Sequence, residues 1–132
     1  MIQLRSIIDI SDNTGAQKGQ CIKIFNKTKK LTGTTGDIIL VAIKKTKNKN
    51  KSKKIYKKEL HKAILIRVKK RINRYDGSSI KFHKNCAILL KKETPKNIYY
   101  PISTRISGPI SNELRYKFEN NIKIISIAFK HL

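Results

Sequence analysis

Apolar positions come in short runs separated by turn-forming residues, with no long helical period before residue 92. Residues 4–10 predict a first short strand. Asp12-Asn13-Thr14-Gly15 follows as dense turn chemistry. Gln20 to Phe25 predicts a second strand, with Ile22 and Ile24 on one face and Cys21, Lys23 and Phe25 on the other. Gly33 and Gly36 punctuate the next loop. Ile38-Ile39-Leu40-Val41-Ala42-Ile43 is apolar on both faces and predicts a central strand of a closed or covered sheet. Patterning returns at Ala63-Ile64-Leu65-Ile66-Arg67-Val68. Asp76-Gly77 then marks a hairpin, and Ile80–Phe82 and Cys86–Leu90 complete the β part.

The texture changes after residue 92. Pro95, Pro101 and Gly108-Pro109 mark irregular chain. Ser111 is placed to cap a helix with Glu113 in its first turn. Leu114, Phe118 and Ile122 then recur every four residues, which predicts one short helix packed on the barrel. Residues 124–129 are apolar enough to be buried, and strand and helix fit them equally. The frequent short strands argue for an all-β fold, a small barrel with a C-terminal extension of loops and short helical structure. The chain of 132 residues reads as one domain, with the barrel in 1–92, a basic arm at 44–62 and the extension in 93–132.

Charge changes this picture most. There are 31 Lys plus Arg against 8 Asp plus Glu, a formal net charge of +23. So much self-repulsion calls for a polyanion, and nucleic acid is the usual one. Nine of the fifteen residues from 44 to 58 are Lys. Lys69, Lys70, Arg71 and Arg74 form a second cluster beside the Asp-Gly turn. Lysine suits phosphate contact, so shape and backbone recognition of RNA is expected. The expected contacts are Arg5, Asn13, Lys44, Lys45, Lys47, Lys49, Lys51, Lys53, Lys54, Lys69, Lys70, Arg71, Arg74, Arg105 and Arg115. Tyr56, Tyr75, Tyr99 and Tyr100 are candidates for stacking on bases.

Catalysis finds little to hold. The four aspartates sit at turns or strand edges, and the three histidines lack metal-ligand spacing with each other or with the cysteines. A ribonuclease reading would need His61 and His83 as an acid–base pair. No phosphate-cradling glycine loop or nucleophile elbow occurs. We expect no enzyme activity, no cofactor and no metal. Cys21 and Cys86 lie in apolar runs and read as buried free thiols. No apolar run approaches a membrane span, and no membrane partner is expected. The 25 Lys, 23 Ile and 10 Asn all have A/T-rich codons. That bias, with no signal- or transit-peptide layout in Met1-Ile2-Gln3-Leu4-Arg5, favours an organelle-encoded mitochondrial protein. A plastid or an A/T-rich bacterium is the alternative.

From Ala63 onward the spacing becomes specific. Ala63-Ile64-Leu65-Ile66 is followed by Asp76-Gly77, Phe82, Asn85 and Ile88-Leu89-Leu90. This resembles the signature of the large-subunit ribosomal protein fourteen family, of bacterial and organellar type. Asp12-Asn13-Thr14-Gly15-Ala16 is similar to the family's early turn. Ser103-Thr104-Arg105-Ile106-Ser107-Gly108-Pro109 with Glu113-Leu114-Arg115 is similar to its C-terminal block. The resemblance implies a non-catalytic five-stranded barrel that binds large-subunit rRNA and packs beside neighbouring ribosomal proteins. It also implies a contribution to an intersubunit bridge with small-subunit rRNA. Thr104, Arg105 and Lys123 match the surface on which a ribosome silencing factor docks. The chain departs from the pattern in its lysine-dense 44–58 segment and in a longer 92–101 stretch carrying Tyr99-Tyr100. The rival reading is a free RNA-binding chaperone or translation factor with an oligonucleotide-binding barrel.

Overall fold

Ten elements follow one another along the chain: β1 (Ile7–Ile10), β2 (Ala16–Ile24), β3 (Ile38–Thr46), β4 (Leu60–Arg67), β5 (Ile72–Asn73), β6 (Ser79–Ile80), β7 (Cys86–Glu93), β8 (Ile98–Pro101), α1 (Glu113–Lys117) and α2 (Ile122–Ile127). They come from a computed structural model that describes residues 1–25, 32–47, 55–93, 98–117 and 122–132. Strands β1, β2, β3, β4 and β7 pair in that order, and β1 closes on β7 in parallel, Asp9 opposite Cys86 and Ile10 opposite Ala87. The result is a closed barrel of five strands, the small barrel that the short strands predicted with the strand number that the resemblance implied. Closure leaves none of the five with a long open edge.

Two apolar clusters hold it. The barrel interior is filled by Ile8, Cys21, Ile39, Val41, Ala63, Leu65, Ala87 and Leu89, with Ile2, Ile55 and Val68 at its ends. The second cluster lies outside β4 and β7, where Ile64, Ile66, Ile88 and Leu90 meet Ile106, Ile110, Leu114 and Ile124 of the C-terminal part. This explains why the runs in β4 and β7 are unbroken: both faces are covered. The equally apolar run in β3 was expected to be covered on both faces. It alternates instead, with Ile39, Val41 and Ile43 buried and Ile38, Leu40 and Ala42 half-buried, because the C-terminal part lies over β4 and β7. The thiols of Cys21 and Cys86 are free and buried, and burial pushes the Cys21 thiol up, away from reactivity.

Several boundaries differ from the sequence reading. Strand β1 starts at Ile7, because Leu4 and Arg5 form a turn with Arg5 at φ 67°. Strand β2 starts earlier, at Ala16, and its faces are not those of a regular alternation. An extra residue at Ile22 forms a bulge, so Cys21 and Ile24 both point inward while Ile22 is exposed. The basic arm was placed at 44–62, but Lys44, Lys45 and Thr46 belong to β3 and Leu60, His61 and Lys62 to β4. Backbone hydrogen bonds extend the ladder beyond the strand ends, from Lys58 N ahead of β4 to Ile43 O at 2.9 Å and from Lys47 N after β3 to Gly15 O at 2.8 Å. Lys49, Lys51, Lys53 and Lys54 lie outside the described residues. The segment after residue 92 contains a strand: β8 pairs with β7, Leu90 opposite Pro101 and Lys92 opposite Tyr99. The expected single helix through Leu114 and Ile122 is two short ones, α1 ending at Lys117 and α2 beginning at Ile122, and Phe118 falls outside the described residues.

Polar contacts weld the C-terminal part to the barrel. The Asp12 carboxylate accepts bonds from Thr14 N at 3.1 Å, from the Thr14 hydroxyl and from Leu89 N at 3.1 Å. It thereby fixes the early turn and ties that turn to β7. Gly15 completes the turn at φ 96°, a conformation that costs a side-chain-bearing residue about 1–2 kcal/mol. Asn13 Nδ2 donates to Thr104 Oγ1 at 2.9 Å while Thr104 N donates back to Asn13 Oδ1 at 3.2 Å. Arg67 Nη2 donates to Ser107 O at 2.8 Å and to the Ser11 hydroxyl.

Candidate nucleic-acid interface

Those expected contact residues that the structure describes do not form one patch. Lys44, Lys45 and Lys47 are exposed at the end of β3. Two register shifts put them there: Gln17 is the extra residue on β2, and Lys44 is the extra residue on β3. A regular strand would have turned one of two successive lysines inward. The bulge lets Lys44 and Lys45 both face solvent. Lys69, Lys70 and Arg71 are exposed on the link from β4 to β5. Lys70 lies near the N-terminus, whose ammonium is pushed down by burial and then by that lysine.

Lys45, Lys47 and Lys69 come together in an open groove of about 800 Å³ that Lys18, Lys84 and Asn85 also line. The sequence reading missed these last three residues. Lys18 is an isolated lysine and Lys84 lies beyond the hairpin. Only the strand register brings them within reach of Lys45, and no local pattern encodes that register. Arg67 was also overlooked, because its role is to bind two distant segments of the same chain.

Arg74 makes contacts within the chain that the sequence reading did not foresee. Its Nε donates to Glu113 Oε1 at 2.6 Å and its Nη2 to Leu132 O at 2.8 Å. The Glu113 hydrogen bond holds the guanidinium pKa above its ordinary value. This side chain clamps the β5–β6 hairpin to α1 and to the last residue. The hydroxyl of Ser111 donates to the other Glu113 oxygen, so the expected capping serine instead orients the clamp. An Arg74→Gln chain will exchange the amides of Ile110 and Leu132 faster, with β3 and β4 unaffected; native-state hydrogen exchange measures this. Unchanged protection at Ile110 and Leu132 would remove the clamp from the account.

The remaining candidates are scattered. Arg5 is exposed at the turn before β1, and Arg115 is exposed on α1. Thr104 and Arg105 are adjacent and exposed, with Thr104 held in place by Asn13. Lys123 falls in α2. Among the stacking candidates, Tyr75 stands fully exposed at the hairpin tip and Tyr56 is 60% exposed. Tyr99 is used internally: Lys62 Nζ donates to its hydroxyl at 2.5 Å and lies 4.6 Å from its ring centroid and 4.9 Å from that of Phe25. Tyr99, from the lengthened stretch, thus holds β8 to β4.

Chemistry beyond binding has little to work with. His61 Nε2 is 3.0 Å from Glu59 Oε2. A hydrogen bond from Tyr56 N, followed by that from His61, holds the Glu59 carboxyl below its ordinary value. Among the described residues, no group of three His, Cys, Asp or Glu could hold a metal ion. No helix among them is long and apolar enough to cross a membrane.

The barrel, its covered β4–β7 face and its lysine-rich surface agree with a comparison against known families. The family model for ribosomal protein L14p/L23e matches residues 1–132. The chain therefore belongs to the ribosomal protein L14p/L23e family, whose members are structural, non-enzymatic constituents of the large ribosomal subunit.

Proposed function

We propose that this chain binds large-subunit rRNA through phosphate contacts and helps form a bridge to small-subunit rRNA. The observation that carries the reading is the unbalanced charge, +23 in 132 residues, with exposed lysines concentrated at the β3 end and the β4–β5 link. Each ammonium that meets a phosphate releases a condensed counterion, and that release drives binding. The barrel supplies a rigid body, and the Arg74 and Arg67 contacts fix the C-terminal part on it. A silencing factor would dock on Thr104 and Arg105, with Lys123 as a further contact, and would block subunit joining there. The A/T-biased composition supports a mitochondrial ribosome as the location.

Sedimentation tests the reading. A tagged copy should stay with large subunits through a high-salt wash. A chain that leaves the subunit under that wash and recycles is a soluble factor, and the structural reading would then be abandoned.

A further inference from the structure

The lysine groove has a feature that general surface charge does not require. Lys18 on β2 stands directly opposite Lys45 on β3 in the strand register. Directly paired residues hold their Cβ atoms about 5 Å apart, and like charges at that distance destabilise a sheet. Asp9 is the other register partner of Lys18, and its carboxylate lies 3.8 Å from Lys84 Nζ. The second carboxylate of the groove, Asp12, is occupied by Thr14 and by Leu89 N. Among the described residues five lysines therefore face two carboxylates, Asp9 beside Lys84 and Asp12 held within its own turn, which leaves Lys18, Lys45, Lys47 and Lys69 in excess.

A neutral donor points the same way. Asn85 Oδ1 accepts from Lys69 N at 2.8 Å. The amide orientation is thus settled, and its Nδ2 hydrogens remain to donate into the groove. Among the described residues neither an aromatic side chain nor an arginine lines it, so those residues offer nothing on which to stack a base and no fork to read one.

We propose that this groove is a channel for a sugar–phosphate backbone. Lys18 and Lys45 close on one phosphodiester, and Lys47, Lys69, Lys84 and the Asn85 amide follow its neighbours. The channel rests on the RNA-binding function above and adds its place and its indifference to base sequence. The like-charged pair persists in the sheet because the phosphate lies between its ammonium groups.

The full-length chain with a short uridine oligonucleotide tests this. Lys18→Gln/Lys45→Gln should lower the log–log salt slope of binding by about 0.7, the one single-strand phosphate that the pair shares. The control, Lys91→Gln/Lys92→Gln, removes two exposed lysines from β7 and should change the slope by less than half as much. Without RNA the groove variant should melt above wild type, because the like-charge repulsion is gone. That result also shows that the variant folds. An equal drop in both variants, or none in the groove variant, overturns the channel while leaving RNA binding standing. A wild-type chain without salt-dependent binding removes both. Inorganic phosphate alone raising the wild-type melting temperature as much as the oligonucleotide would make the groove a small-anion site and overturn the proposal.

Discussion

A Gly19→Ala chain will melt on the order of 10 °C below wild type, a loss of about 2–3 kcal/mol. Gly19 lies in the middle of β2, opposite Ile43, and faces inward. A Cβ built there falls on Val41 Cγ1, far inside van der Waals contact, with Ala42 O at 3.5 Å and Ile10 Cδ1 at 3.6 Å. Val41 is fully buried and has no free volume to retreat into. A barrel of only five strands must coil sharply, and glycine here lets three strands approach closely. Thermal melting of the single variants and the double variant checks the cause. Val41→Ala alone should also destabilise, but Gly19→Ala with Val41→Ala should cost at least about 1 kcal/mol less than the sum. Strict additivity would show that the clash is not the reason.

Lys49→Glu, Lys51→Glu and Lys53→Glu together will sharply reduce incorporation into the large subunit. The three changes turn three positive charges into three negative ones within five residues. If each lysine meets one phosphate, the salt slope of rRNA binding falls by about 2 to 3, and the glutamates add repulsion. The effect should be uniform across RNA sequences, because lysine ammonium groups bind phosphate as point charges. Gradient sedimentation with quantification of the tagged chain in large subunits measures it. Normal assembly of the triple variant would exclude this segment as an RNA contact.

Much of the barrel could be read from local pattern. The runs at Ala63–Val68 and Cys86–Leu90 became β4 and β7, and Asp76-Gly77 became the tip of the β5–β6 hairpin. What failed was mostly parity. One bulge residue at Ile22 exchanged the faces of half a strand, and another at Lys44 turned two adjacent lysines outward. Bulges depend on the partner strand, and a single strand's sequence does not announce them. Strand β8 was hidden by Pro101 and by its short length of four residues. It forms because β7 runs on past β1 and offers an unpaired edge.

The proposed interface rests on chemistry that sequence displays and on a placement that it does not. Lysine clusters name a polyanion wherever they fall in the chain. The groove needs three strands in register and a loop beside them, so Lys18 and Lys84 gave no local signal. Arg74 has an internal use that its sequence neighbourhood did not suggest. In sequence it belongs to a basic cluster, but 39 residues later Glu113 returns to claim it. An arginine that pairs bidentately or bridges two acceptors within its own chain has the same sequence signature as one that binds phosphate.

Affinity for large-subunit rRNA, measured across a range of salt, bears most directly on why this small barrel carries so many ammonium groups. Five or more phosphate contacts predict a log–log slope of about −4 or steeper. A slope near zero would mean that the charge is not neutralised by RNA, and the account would fail.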